Sequence, residues 1–553
     1  MKSNTPVCLA LALLAGSAQG QIEPILYTDG IIPGVIDPSG VPETIWQTGL
    51  YRVANSPDRS RWALRVNHTS ANDNEYIVSG SGTTGSVVVH SSGSPATVPA
   101  DSVPVFYISE RELSINDSGL LAVGGSFDSR ATTDTAWLIE PGVGATIVAL
   151  EASTAFTRPT PTLIDYGINP NLPDPLLFNS LSVGDISNTG KVMVIDTDID
   201  QALIWDAGSY SLVLEDDDAI TDPPLPGDVL TQLFSTGTNL NRSTAWFFEE
   251  PGEDPIIGVF GAVNLPEDGN SNGLTDELSS DVSTLLVRDA ATGSFSPFGF
   301  LGATIDGRSI SEGLTGWIDE QGNEYITGIG GFFFDPTDGF GIINGEVVAD
   351  IGGDVGGTVP GETWILAGSG GRGPSIFGLD RRADGAYIVA GVTSNPATVP
   401  GGTVDGEPQD PIPANRVIMF VAADGTRTEL VRSGDDVSVV LPDGSTQDRK
   451  IALLNQLDAT YSMYIDDSHL YFLAGTTPFA GTIPSDLFAR IELPGAGDCL
   501  PDTNGDGELT PGDFNAWVLA FNGQLPACDQ NGDGLCTPGD FNAWILNFNN
   551  GCG

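Results

Sequence analysis

One short pattern recurs through most of this chain and limits what it can fold into: a polar turn of Asp, Asn and Gly that runs directly into an apolar strand. It is read at Ile115-Asn116-Asp117-Ser118-Gly119 before Leu120-Leu121-Ala122-Val123, and at Ile186-Ser187-Asn188-Thr189-Gly190 before residues 191–195. It returns at Ile318-Asp319-Glu320-Gln321-Gly322 before residues 324–327, at Leu379 with Asp384-Gly385, and at Met463 with Asp466-Asp467. Weaker versions fall near residues 56–66 and 240–248. A second hairpin follows the first, as at residues 136–139, 202–205, 284–287 and 417–420, trailed by strands such as 211–214 and 429–431. Apolar and polar residues nowhere in this stretch take a convincing helical period.

Counted this way the body holds about seven units of roughly 65 residues, each with about four strands. Such a unit exposes an apolar face, and stacking copies around an axis buries it, which is the arithmetic of a β-propeller. Seven blades are expected, with six, eight or an array of β-sandwiches as alternatives. The 70 glycines and 38 prolines make up about a fifth of the chain, against an average of roughly 12%. With 40% hydrophobic residues the composition is one of many short strands and turns, not of disorder. The repeat also resembles bacterial extracellular β-propeller-like repeat proteins, a resemblance that implies the fold and no activity.

The amino end carries Lys2, an apolar run over residues 7–15 and the small residues Gly16, Ser17, Ala18 and Gly20. This is the layout of a secretory signal peptide, with cleavage expected after Ala18 or Gly20. Cys8 lies too early in it for a lipoprotein cysteine. No other stretch of about 18 apolar residues is present, so membrane insertion is not expected. The formal charge of −52 repels phosphate backbones and argues against a nucleic-acid partner. The expected division is a signal peptide at 1–20, a β body at 21–493, a linker at 494–498 and a small module at 499–553, in an exported or surface-held protein.

The module carries the most specific chemistry. Asp502-Thr503-Asn504-Gly505-Asp506-Gly507-Glu508-Leu509-Thr510-Pro511-Gly512-Asp513 returns 27 residues later, beginning at Asp529. Calcium takes six to eight oxygens, which a 12-residue loop supplies from positions 1, 3, 5, 7, 9 and 12. In the first loop these are Asp502, Asn504, Asp506, the Glu508 carbonyl, Thr510 and Asp513. In the second they are Asp529, Asn531, Asp533, the Leu535 carbonyl, Thr537 and Asp540. Gly507 and Gly534 fill position 6, where the chain turns sharply. Each loop runs into the same apolar helix, residues 514–521 and 541–548. Phe514, Trp517 and Phe521 share one helical face. Leu500-Pro501 and Leu525-Pro526 break the chain ahead of each loop.

Loop then helix, twice, with Asp at position 12, resembles the duplicated EF-hand-like repeat of type I dockerins. That resemblance implies two bound Ca2+ ions and a protein partner, cohesin-like or a component of the cell envelope. It covers about a tenth of the chain. Positions 10 and 11, where dockerins of cellulase complexes carry recognition residues, are Pro511-Gly512 and Pro538-Gly539 here, so partner specificity does not transfer. A third, less complete loop offers Asp268, Asn270, Asn272 and Asp276, with Ser279 at position 12.

Four cysteines, Cys499, Cys528, Cys536 and Cys552, all fall in the module. They allow three connectivities. Of these, Cys499–Cys552 as a clasp and Cys528–Cys536 as a brace of the second loop are expected. The body has no thiol and only three histidines, His68, His90 and His469, too scattered for a zinc cluster. Gly368-Ser369-Gly370-Gly371-Arg372-Gly373 is followed by Pro374 rather than by a helix, against a dinucleotide site. The acidic run Glu215-Asp216-Asp217-Asp218 reads as a solvated loop, and Trp317, Arg381 and Arg382 carry no clear role. Two functions follow. The first is a secreted, non-catalytic binding or display protein attached through the module. The second is a polysaccharide-degrading enzyme, a glycoside hydrolase or lyase acting on a glycan, for which two carboxylates in an aromatic cleft would speak.

Overall fold

The computed structural model describes residues 21–45, 53–67, 74–91, 93, 96–126, 134–150, 155–156, 176–177, 181–196, 201–215, 229–233, 245–249, 252, 254–264, 282–289, 292–300, 304–306, 308–309, 312–332, 335–366, 375–400, 403–404, 407–408, 411–453, 463–477, 486–494, 503, 510–523, 525–528, 530 and 536–550. The expected signal peptide and the third loop lie outside them. Among the described residues no helix is long and apolar enough to cross a membrane.

Seven sheets follow one another along the chain, antiparallel but for one outer strand of blade 1, Val103–Val105, and together they form a seven-bladed β-propeller. Blade 2 shows the plan: Tyr107–Ile115 is its inner strand, then Leu121–Ser126, Asp134–Glu140 and Gly144–Leu150 in order outward. The inner strands of the others are Val53–Asn55, Leu181–Ile186, Ala245–Phe248, Glu312–Ile318, Ile376–Arg381 and Met463–Ile465. In blade 4 a further strand, Val229–Leu233, pairs along the same neighbour, Ile256–Asn264. The expected hairpins at 136–139, 202–205, 284–287 and 417–420 are the third strands of blades 2, 3, 4 and 6. The weak repeat near 240–248 differs in phase: residues 245–248 are the inner strand of blade 4, not the strand after its turn.

The ring closes across the ends of the body. Blade 7 takes Met463–Ile465, His469–Thr476 and Leu487–Glu492 from the carboxyl side, and its outermost strand is Glu23–Tyr27. An open propeller would present an unpaired edge at each end of the repeat array, and this exchange pairs the two with each other.

The core lies between blades. Trp62, Leu64 and Val66 pack with Tyr464 and Phe488 of blade 7, while Ala63, between them in sequence, packs with Leu113 and Val123 of blade 2. Successive side chains on a strand point to opposite faces, and here both faces are covered. That is why strands such as Val192–Asp196 are buried at every position and read as continuous apolar runs rather than alternating ones. Close packing also fixes glycines. A Cβ on Gly80 would meet the Thr84 carbonyl oxygen at 2.0 Å and the Trp62 ring at 2.6 Å. Gly80→Ala is expected to destabilise the propeller by about 1–3 kcal/mol, measured by urea denaturation.

At the carboxyl end, helix α1 (Pro511–Gly523) and helix α2 (Pro538–Asn550) form the small helical module. Both begin three residues earlier than the apolar pattern alone suggests, and a single 3-10 turn, Pro526–Cys528, stands before the second loop.

Candidate functional site

The recurring polar turns join blade 1 to 2, 2 to 3, 3 to 4 and 6 to 7. Each connects an inner strand to its neighbour in the same blade. The Asp58 amide donates to Asp117 Oδ1 at 2.8 Å, the Asp117 amide to Asn188 Oδ1 at 3.0 Å, and Asn116 Nδ2 to the Ser187 carbonyl at 3.0 Å. Further round, Thr189 and Lys191 both donate to Glu249, and Arg382 donates to the Asp467 carbonyl. A second set of acids works one layer deeper. Inner strands have a free edge toward the channel, so their amides need acceptors. Glu75 accepts from Ile108 N, Glu112 from Val183 N, Asp185 from Phe247 N and Asp380 from Ile465 N, at 2.7–3.2 Å. Part of the chain's acidity is therefore structural.

Blade 1 breaks the turn pattern. The amides of Gly119, Gly190, Gly322 and Gly385 each close a turn onto a carbonyl three residues earlier, with φ between 75° and 92°. In blade 1 the same hydrogen bond, 2.8 Å to the Ser56 carbonyl, is made by Arg59 at φ 59°. A side chain in this left-handed region costs about 1–2 kcal/mol. Arg59 is nevertheless buried, at 7% exposure, and its guanidinium crosses the channel. Its Nε donates to Glu320 Oε1 at 2.6 Å, and its terminal nitrogens reach Asp380 at 2.9 and 3.1 Å and the Ile465 carbonyl at 2.7 Å. Asp319 lies at 3.5 Å and also accepts from the Tyr325 hydroxyl at 2.6 Å.

One residue of blade 1 thus ties together blades 5, 6 and 7. Burial pushes the Glu320 carboxyl up to about 7 and Asp380 up to about 6, with Arg59 opposing both shifts. Burial acts to lower Arg59 itself, but Asp380 and Glu320 outweigh it and hold the guanidinium well above its ordinary value. Beside this cluster the channel widens into a half-open chamber of about 110 Å³, to which all seven inner strands contribute. Its walls include Ser114 and Asp185, then Trp246, Phe248 and Trp317, then Arg59, Glu320, Asp380 and Tyr464.

In the module the two halves repeat each other's contacts. Phe514 meets Trp544 at 5.3 Å and Trp517 meets Phe541 at 5.5 Å, pairs that exchange under the 27-residue offset. Trp517–Phe521 at 5.2 Å and Trp544–Phe548 at 4.9 Å match in the same way. The helices therefore pack about a pseudo-twofold axis. Each starts with a capping box. Thr510 Oγ1 accepts from Gly512 N at 3.1 Å, and Asp513 Oδ2 accepts from Thr510 N at 2.7 Å. Thr537, Gly539 and Asp540 repeat this at 3.2 and 2.6 Å. Pro511 and Pro538 take the first helical position, where proline costs no hydrogen bond.

Asp513 and Asp540 are fully buried at the ends of their loops. Of the twelve expected calcium ligands, Thr510, Asp513, Thr537 and Asp540 are placed; Asp502, Asn504, Asp506, Glu508, Asp529, Asn531, Asp533 and Leu535 lie outside the described residues. Cys528 and Cys536 form the expected disulfide, with their Cα atoms 5.6 Å apart, whereas Cys499 and Cys552 lie outside the described residues.

The remaining sequence candidates do not come together. His90 faces the Ser91 carbonyl in blade 1, and His469 sits beside Ser468 and Asp466 in blade 7. His68, residues 216–218 and the glycine run 368–373 lie outside the described residues. Arg382 belongs to the turn ring, paired with Asp384, and Trp317 lines the chamber. Arg59 was not singled out from the sequence. The signal was there: an arginine in the place where four other turns carry glycine.

No family model matches the chain, and no curated protein matches it in sequence. Solved structures match it at low identity. Prolyl oligopeptidase B from Galerina marginata is 10% identical with a TM-score of 0.33, over 73% of this chain and 47% of that one, so the chain spans about half its length. The β-propeller domain of the Trilobed protease from Pyrococcus furiosus is 12% identical with a TM-score of 0.32, over 71% and 83%. Oligogalacturonate lyase from Vibrio parahaemolyticus is 10% identical with a TM-score of 0.34, over 86% and 98%. None of these likenesses carries an activity to this chain.

Proposed function

We propose that the protein is a secreted, non-catalytic propeller that binds or displays, and that its dockerin-like module attaches it, in the calcium-loaded state, to a protein partner or to the cell envelope. The observation that carries the attachment reading is the buried pair Asp513 and Asp540, related by the same offset as the helices they cap. A carboxylate at position 12 closes a calcium loop onto the helix that follows, and here both are held in place by their own capping boxes. Calcium would supply the charge that balances Asp502, Asp506 and Asp513 in one loop and Asp529, Asp533 and Asp540 in the other.

The alternative, a carbohydrate-active enzyme, needs a cleft. Ligand pockets run to about 300–1,000 Å³, and the central chamber has about 110 Å³. Its raised carboxyls, Glu320 and Asp380, are both spent on Arg59. These two facts favour binding over glycan cleavage in the channel.

The test is capture from envelope and secreted fractions of the source organism with the full chain as bait, in calcium or in chelator. A partner held by the wild type in calcium, and lost with chelator or with Asp502→Ala plus Asp529→Ala, supports the reading. Capture that ignores calcium and these substitutions would sink it.

A further inference from the structure

The end of the propeller that carries the polar turns also carries a groove, apart from the channel and the module. It lies between blades 1 and 2 and has about 690 Å³, within the roughly 300–1,000 Å³ of small-molecule sites. Register places it. Trp62 pairs with Gly80 and Gly80 with Gly85, so the hairpin joining Glu75–Ser81 to Thr84–Ser91 ends beside the turn that precedes Trp62. In blade 2 Leu121 pairs with Ile139, which brings Glu140 and Pro141 to the same end as Ser118 and Gly119. Each blade thus supplies one wall, and Arg61 links them, its Nε donating to the Asp117 carbonyl at 2.9 Å.

The polar groups on these walls are of three kinds. Arg61 commits only Nε, so its two terminal nitrogens are donors without a partner among the described residues. The Glu140 carboxylate is an acceptor, likewise without one. The hydroxyls of Ser81 and Ser86 are uncommitted too, whereas Ser79 and Thr84 donate theirs to the carbonyls of Trp62 and Ser81. Elsewhere exposed carboxylates close onto their own turns, as Asp37 does onto Ser39 and Asp443 onto Ser445. In the groove donor and acceptor stay open, with apolar surface from Val88, Leu120 and Pro141 between them. The occupant follows from this set. A chain of net charge −52 opposes an anion at long range, and one guanidinium and one carboxylate cancel, so a neutral ligand suits best. It must accept from Arg61, donate to Glu140 and do either with the serines. A hydroxyl both donates and accepts, so a ring bearing several of them meets every demand with one kind of group, and its C–H faces suit the apolar surface.

We propose that the groove between blades 1 and 2 binds a neutral sugar, with the Arg61 terminal nitrogens donating to its hydroxyls and Glu140 accepting from them. Glu140 is the one carboxylate among the lining residues, so the groove holds a sugar without the pair that cleavage uses. The proposal rests on the reading of the propeller as a binding body and names its ligand class; it does not need the module to bind calcium.

The test titrates the full chain with glucose, galactose, mannose and cellobiose by calorimetry, beside glycylglycine and sodium glucuronate, in low and in high salt. Saturable uptake of at least one of the four neutral sugars, indifferent to salt, is expected. Glu140→Ala should weaken it by about ten- to a hundredfold. Because that carboxylate has no partner among the described residues, the urea midpoint should stay where it is. Arg61→Lys keeps the charge and loses the planar fork, so it should weaken uptake as well. Asp502→Ala plus Asp529→Ala should leave sugar uptake unchanged, which separates the fate of this site from that of the attachment reading. Absence of saturable uptake of any of the four sugars overturns the proposal, as does uptake blind to both groove substitutions. Tighter uptake of glycylglycine or glucuronate that fades in high salt would also overturn it, in favour of a charged ligand.

Discussion

Arg59→Gly destabilises the propeller by about 1–4 kcal/mol at about pH 8.5. Two opposed effects set that size. Removing one partner of a buried ion pair costs about 3–5 kcal/mol, because the carboxylates stay buried without their counter-charge. Glycine returns about 1–2 kcal/mol by relaxing the left-handed backbone that four other turns of this kind give to glycine. The substitution also makes blade 1 match the repeat, so a purely local turn effect would predict a gain. The pH dependence separates the two. Glu320 and Asp380 sit at about 7 and about 6, above their ordinary 4.5 and 3.8.

A carboxyl raised on folding contributes stability that is complete below its unfolded value and is lost as pH rises through its folded value. The wild type should therefore lose some stability between about pH 4 and pH 7 from this cluster. In Arg59→Gly the guanidinium no longer opposes the rise in either carboxyl, so the loss should be larger and should shrink toward pH 5 as both protonate. Urea denaturation of the two proteins at about pH 5 and pH 8.5 measures this. A penalty equal at both values would mean that the charge cluster is not what Arg59 stabilises.

Removal of calcium has the second large effect. A ligand held by the folded module alone stabilises it by about 4 kcal/mol per site at a thousandfold excess over its dissociation constant. The module has little else to stand on: two helices of 13 residues each, one aromatic cluster and the Cys528–Cys536 disulfide. Chelation should reduce the helical signal in far-UV circular dichroism and shift the emission of Trp517 and Trp544, whose side chains are buried in that cluster. The propeller's strand signal should be unchanged. Because Asp513 and Asp540 also cap their helices, alanine at these positions mixes two losses. Asp513→Asn plus Asp540→Asn keeps an acceptor for the cap and lowers the loop's charge, while Asp502→Ala plus Asp529→Ala leaves the caps untouched. If the wild type melted alike in chelator and in calcium, calcium-coupled folding would be excluded.

The turns around Asn116, Ser187, Asp319 and Arg382 were legible as repeat units because a polar turn followed by an apolar strand is a local signal, set by backbone conformation and strand propensity. Blade number followed from their spacing. The phase of blade 4 did not, since residues 240–248 have the composition of either an inner strand or the strand after it. The helices of the module were legible from Phe514 onward, and their true starts were hidden because Thr-Pro-Gly-Asp reads equally as the end of a calcium loop and as a capping box. It is both.

What the sequence by itself determined is whatever neighbours along the chain decide: strands, turns, the paired loops and the helices behind them. Closure of blade 7 by Glu23–Tyr27 joins residues 460 or more positions apart, and no local pattern reports such a pairing. Arg59 makes the same point for the channel. Its turn announces only an oddly placed arginine. That its charge meets Glu320 and Asp380, 261 and 321 residues away, is decided by the ring, which brings the inner strands of distant blades to one axis and leaves their charges to be balanced there.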